Sequence, residues 1–129
     1  MVAIGLTLAG EATPDMVRQM RVCFQEWLAT VGAAADLMDE LGLAVYEALA
    51  NVVDHAYRPD DPHRLVYLQA RLTGEQLLIT VTDHGCWRTS GASEYRGHGL
   101  AIMRSFTEVH LHSTARGTTV QMRAALPRG

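Results

Sequence analysis

The chain has 129 residues, 48% of them hydrophobic, which suits one conventional core and leaves little room for a second domain. Its net charge of -3 offers no basic footprint for nucleic acid, and no apolar run approaches the roughly 18–20 residues that span a bilayer. The apolar opening lacks a basic leader and Cys23 and Cys86 have neither metal-ligand nor redox-motif spacing, so a single cytoplasmic domain over residues 1–129, with neither nucleic acid nor membrane as partner, is expected.

Residues 2–9 predict a first strand, with Ile4, Leu6 and Leu8 alternating onto one apolar face. Thr13 followed by Pro14 opens a helix as a hydroxyl cap with proline at the first helical position. Met16, Met20, Phe24, Trp27 and Val31 recur along its core-facing stripe, and Gly32 stops it. Asp36 is expected to cap a second helix running to about Ala56, buried through Leu37, Leu41, Ala44, Val45, Ala48 and Val52. Pro59 and Pro62 end that region. Leu65–Leu72 and Gln76–Asp83 read as strands joined by a short connection at Thr73–Glu75.

From His84 to His98 periodicity vanishes, leaving a loop of about fifteen residues, long enough to suggest function. A short helix over Gly99–Phe106 turns Leu100, Met103 and Phe106 inward, and Val109–His112 and Thr118–Leu126 close the chain as strands around Ala115–Gly117. The expected fold is α+β, a two-layer α/β sandwich whose mixed, mostly antiparallel sheet carries helices on one face.

Four segments depart from simple patterning. Glu47, Asn51 and His55 recur at intervals of four in EALANVVDHAY, sharing one helix face with a drift of about 40° per step. A solvated helix face explains any one of them; three together beside an Ala-, Leu- and Val-rich stripe point to a site. Asp83 has the parity of Leu77, Ile79 and Val81, which puts a carboxylate at the core's edge, where it needs a partner or a ligand. An Asp-x-Gly turn is the ordinary alternative. Arg96-Gly97-His98-Gly99-Leu100 runs into a helix, where glycines let backbone N–H groups approach phosphate oxygens. Gly97-x-Gly99 alone is weak, and Ile102 stands where a dinucleotide fingerprint requires glycine. Gly117-Thr118-Thr119 precedes the last strand and by itself is an adequate hairpin turn. His110 and His112 share one strand face, but two histidines do not make a zinc site.

In this order the four segments resemble the boxes of the GHKL ATPase superfamily, which includes gyrase, Hsp90, MutL and histidine kinases. The string Glu47–Tyr57 is similar to the E-A-x-x-N-x-x-x-H-A-Y box of the RsbW-type anti-sigma-factor serine kinases. The resemblance implies a histidine-kinase-like ATPase (Bergerat) fold with an ATP lid over about 84–98. It also implies ATP and Mg²⁺ as cofactors, with Asn51 on the metal and Glu47 as base for an attacking serine hydroxyl. Asp83 would take the adenine amino group, Gly85 would shape that pocket's floor, and Gly97, His98, Gly99 and Leu100 would cover the phosphates. Arg96 could neutralise phosphate charge, and Thr118 or Thr119 would reach the adenine side. The implied partners are a STAS-type anti-anti-sigma protein bearing an acceptor serine, an alternative sigma factor and a second copy of the chain. Two other readings stay open: a sigma-sequestering module that binds ATP without catalysis, and the ATPase domain of a larger signalling kinase.

Overall fold

A computed structural model describes residues 4–86 and 98–127. Strand β1 covers Ile4–Glu11, helix α1 Pro14–Thr30 and helix α2 Ala35–Asn51, which continues as a single π-helical turn over Val52–Ala56. Strands β2 (Leu65–Thr73) and β3 (Gln76–Asp83) follow, then helix α3 (His98–Phe106) and strands β4 (Glu108–Thr114) and β5 (Gly117–Ala125).

The five strands form one sheet in the order β1-β2-β3-β5-β4, and every neighbouring pair is antiparallel. The sheet is therefore wholly antiparallel rather than mixed. Because β5 lies between β3 and β4 and opposes both, β3 and β4 run in the same direction without pairing. The connection through α3 thus skips one strand position, which the final hairpin fills.

Strand alternation decides which face meets the helices. Val66, Leu68, Ala70 and Leu72 of β2, Leu77, Ile79 and Val81 of β3, and Val120 and Met122 of β5 are all buried. Against them pack α1 through Val17, Met20, Phe24, Trp27 and Leu28, and α2 through Leu41, Ala44, Val45, Ala48 and Leu49. Helix α2 is the middle helix of the layer, in contact with both α1 and α3, which is why its apolar stripe is broad. Phe24 and Trp27 stack with centroids 6.3 Å apart.

Helix α1 begins as its sequence requires. The Thr13 hydroxyl accepts a hydrogen bond from the Met16 N–H at 3.1 Å, and Pro14 occupies the first turn. The expected cap of α2 is corrected: Ala34 holds the cap position and its side chain can accept no hydrogen bond, while Asp36 lies inside the first turn. A carboxylate there still opposes the positive end of the helix dipole.

Phe24 is fully buried, whereas Val22 on the same helix is 53% exposed. Phe24→Ala is expected to lower the unfolding free energy by about 3–5 kcal/mol, and Val22→Ala by less than about 0.5 kcal/mol, in urea titrations followed by circular dichroism.

Candidate functional site

The helix-side face of β3 is apolar through Leu77, Ile79 and Val81 and ends on Asp83, which is only 1% exposed. The register sets Asp83 opposite Val66 of β2 and Thr118 of β5, and Thr118 in turn opposite Ser113 of β4. Across β3, β5 and β4 the last row of an otherwise apolar face is thus polar. Thr118 is 2% exposed, and its Oγ1 lies 3.0 Å from the Ser113 hydroxyl. Thr119, one residue on, pairs with Thr82 on the opposite face of the sheet. Of the two threonines, only Thr118 shares a face with Asp83.

Beyond Asp83 the chain turns sharply. Asp83 Oδ1 accepts the Gly85 N–H at 2.9 Å, an Asx turn that fixes one carboxylate oxygen and so the direction of the other. Gly85 is packed against the π-helical turn: a Cβ there would lie 2.0 Å from the Ala56 carbonyl oxygen. Gly117, at φ +150°, comes equally close from the other side, where a Cβ would lie 2.2 Å from the Asp83 carbonyl oxygen. Two glycines therefore let three backbone segments meet: the end of β3, the start of β5 and the turn after α2.

That turn also bears on the sequence reading. A π turn closes i→i+5 and holds one more residue than an α turn, a distortion often found at functional sites. Glu47 and Asn51, on α2 itself, share a half-buried face, but the face expected to continue to His55 is rotated by the change of pitch. The Asn51 side chain carries a buried Nδ2 that meets no hydrogen-bond partner among the described residues. A buried amide donor costs free energy unless something accepts from it.

Tyr57 follows the π turn in an extended conformation. Its hydroxyl donates to the Leu65 carbonyl at 2.6 Å and accepts from the His84 N–H at 2.9 Å. The His84 ring meets the Tyr67 ring edge-on at 5.3 Å. A cavity of about 350 Å³ opens beside Gly85, lined by Tyr57, Arg58, Asp61, His63, His84 and Cys86. It lacks Asn51, Asp83 and Thr118.

The second glycine segment is described only in part. His98 and Gly99 begin α3, whose Leu100 is half-buried and whose Met103 is fully buried. Arg96 and Gly97, with most of the expected lid over 84–98, lie outside the described residues. His110 and His112 are exposed on β4, with His110 Nε2 3.2 Å from a Glu108 carboxylate oxygen. No group of three or more His, Cys, Asp or Glu able to hold a metal occurs among the described residues. Cys23 and Cys86 are exposed thiols, and no described helix is long and apolar enough to cross a membrane.

The profile of the histidine kinase-like ATPase domain covers residues 10–124. The chain belongs to that family. Among characterised proteins it is similar to the anti-sigma F factor of Anoxybacillus flavithermus, 29% identical over 79% of this chain and 79% of that protein. It is also similar to the anti-sigma F factor of Oceanobacillus iheyensis, 25% identical over 95% and 93%. Among solved structures, the RsbU and RsbW domains of Rv1364c from Mycobacterium tuberculosis superpose with a TM-score of 0.80 at 27% identity, covering 98% of this chain. This chain spans 33% of that one. The SiaB-SiaC complex of Pseudomonas aeruginosa, at 10% identity and a TM-score of 0.60 over 93% of this chain, shares the fold.

The donor set of this histidine kinase-like ATPase domain fits a purine nucleotide. Asp83 supplies a buried acceptor, Thr118 a buried hydroxyl and Asn51 an amide, beside the backbone contact of Gly85 with Ala56. It fits Mg²⁺ only if the nucleotide's oxygens and water complete the shell, since the described residues build no metal cage of their own.

Sequence reasoning included Tyr57 in a motif but gave it no role. Burial and the neighbouring Asp83 charge raise its pKa above the ordinary phenol value, outweighing the His84 N–H bond, which lowers it. Below about pH 10 both folded and unfolded states hold the proton, and the two hydrogen bonds stand. As pH rises past that value the unfolded chain ionises first and the stabilisation is lost. Tyr57→Phe should be about 1–3 kcal/mol less stable than wild type at pH 8. The gap should narrow as pH rises above about 10 in urea titrations, whereas a gap independent of pH would contradict the assignment.

Proposed function

We propose that this chain binds ATP with Mg²⁺ in the corner formed by Asn51, Asp83, Gly85 and Thr118, and phosphorylates a serine on a regulatory partner. The observation carrying this reading is the convergence, through Gly85 on Ala56 and Gly117 on Asp83, of the two segments whose side chains a nucleotide needs at opposite ends. Asp83 accepts from the adenine amino group, and Thr118 adds a hydroxyl to the same side. Asn51 lies at the phosphate end, where it would hold Mg²⁺ together with phosphate oxygens. The metal supplies charge neutralisation for the transferring phosphoryl group.

By the same resemblance Gly97, His98, Gly99 and Leu100 would cover the phosphates, segment 84–98 would serve as lid and Arg96 would neutralise phosphate charge. Thr119 faces the far side of the sheet, away from Asp83 and Thr118. Glu47, one turn before Asn51, accepts the serine proton as the hydroxyl oxygen bonds to the γ-phosphorus and ADP departs.

The relatives named anti-sigma F factors support a regulatory setting. On that basis the substrate is a STAS-type anti-anti-sigma protein, the sequestered partner an alternative sigma factor, the working unit a dimer and the compartment the cytoplasm, with residues 1–129 acting as one domain. The same names speak of binding a sigma factor and not of catalysis, which favours a second reading: sequestration with ATP as a structural ligand.

Isothermal titration with ATP and Mg²⁺ should show a single site. Asn51→Ala and Asp83→Ala should each weaken it at least about tenfold, the loss of one or more charge-assisted or buried hydrogen bonds. Equal affinity in all three proteins would overturn the site. Glu47→Ala should retain ATP and abolish phosphate transfer to the partner's serine. Absence of transfer by the wild type would leave the sequestration reading in its place.

A further inference from the structure

The ladder between β2 and β3 pairs Val66 with Asp83 and ends there. The next rung would join Leu65 to His84. The Tyr57 hydroxyl occupies that rung instead, accepting from the His84 N–H at 2.9 Å and donating to the Leu65 carbonyl at 2.6 Å. A phenol oxygen between donor and acceptor is wider than a direct N–H···O bond, so the end of β3 is held off β2 by one oxygen atom. Both backbone groups remain satisfied, which lets the strand splay without the cost of orphaned polar groups.

This wedge acts on the residue that matters most in the proposed site. His84 lies between Asp83 and Gly85, and the other contacts on those residues are backbone-tight: Gly85 on the Ala56 carbonyl, Gly117 on the Asp83 carbonyl. Ala56 adjoins Tyr57, so one short segment after α2 fixes His84 by its hydroxyl and Gly85 by its carbonyl. The Tyr67 ring against His84 limits sideways movement. With Oδ1 committed to the Gly85 N–H, the aim of the Asp83 carboxylate follows from where this peptide segment is pinned.

We infer that Tyr57 is a positioning residue that sets the base specificity of the site, by wedging open the β2–β3 ladder so that Asp83 is aimed at the exocyclic amine of a 6-aminopurine. The inference rests on the reading of Asp83 as the base-recognising group. A merely structural tyrosine, once removed, would weaken all nucleotides alike. A positioning tyrosine gives up discrimination, because a carboxylate aimed a few tenths of an ångström astray loses the bond only the amino group can donate.

The test is titration calorimetry with ATP and with purine riboside triphosphate, which lacks the 6-amino group, on wild type, Tyr57→Phe and Asp83→Ala. Wild type should prefer ATP by about tenfold or more, the worth of one bond to a charged acceptor. Tyr57→Phe should reduce that preference at least about threefold while circular dichroism shows the same fold, and amide exchange at His84 should accelerate. An unchanged preference in Tyr57→Phe overturns the inference while leaving the site intact, provided Asp83→Ala abolishes the preference. No preference in the wild type, or none lost in Asp83→Ala, overturns both and marks the Asp83 assignment as the fault. If Tyr57→Phe does not fold, 3,5-difluorotyrosine at position 57 keeps the shape and lowers the hydroxyl pKa. Raising the pH through that ionisation then removes the proton given to Leu65, and the preference should fall there in the substituted protein and not in wild type. A preference indifferent to that ionisation overturns the inference.

Discussion

A glycine that cannot be anything else fixes the geometry of this domain. Gly85 sits so close to the Ala56 carbonyl that a β-carbon would overlap it at 2.0 Å. The loop after β3 and the turn after α2 are consequently in backbone contact, with no side chain between them. Gly117 repeats the device at the start of β5. Backbone-to-backbone approach is stiff, because it has no rotamers to adjust, and interiors packed at crystal-like density transmit rather than absorb displacement. The positions of Asp83, Thr118 and the end of the Asn51 helix are therefore set together.

The sheet supplies the chemistry of the corner by running out of apolar residues on one face. Along β3 the helix-side positions read Leu77, Ile79, Val81, Asp83, and along β5 in reverse Met122, Val120, Thr118. Three rows are hydrophobic and the fourth is polar. Burial holds the apolar rows in register, since a slip of one residue would turn Leu77, Ile79 and Val81 to the open face. The same force that stabilises the core thus places a carboxylate and a hydroxyl side by side. The Asx turn at Gly85 and the Ser113–Thr118 contact keep the polar row hydrogen-bonded in a site otherwise shielded from water.

Much of this arrangement was legible in the sequence, and the illegible parts share a physical cause. Asp83 was readable because strand parity is local: three apolar residues at alternate positions commit the fourth. The cap at Thr13 and the stripe through Met20, Phe24 and Trp27 were readable for the same reason, as consequences of one helix's own periodicity. The choice between Thr118 and Thr119 was not, because it depends on β5 inserting beside β3, a pairing between residues more than thirty positions apart. The π turn after Asn51 was invisible because its residues, Val52–Ala56, suit an α helix equally well. Ala34 caps α2 where Asp36 was expected because the backbone leaves the α1–α2 turn two residues earlier than side-chain preference suggests. Tyr57 closed the Glu47–Tyr57 motif with no role of its own, because its hydroxyl bonds a strand rung that exists only once β2 and β3 have paired.

The most direct measurement is a crystal structure of the protein with Mg²⁺ and a non-hydrolysable ATP analogue. The account requires the 6-amino group within about 3 Å of an Asp83 carboxylate oxygen, and the metal bound to the Asn51 amide oxygen and to phosphate oxygens. A nucleotide seated instead in the cavity of Arg58, Asp61 and His63, or one holding its base away from Asp83, would contradict it.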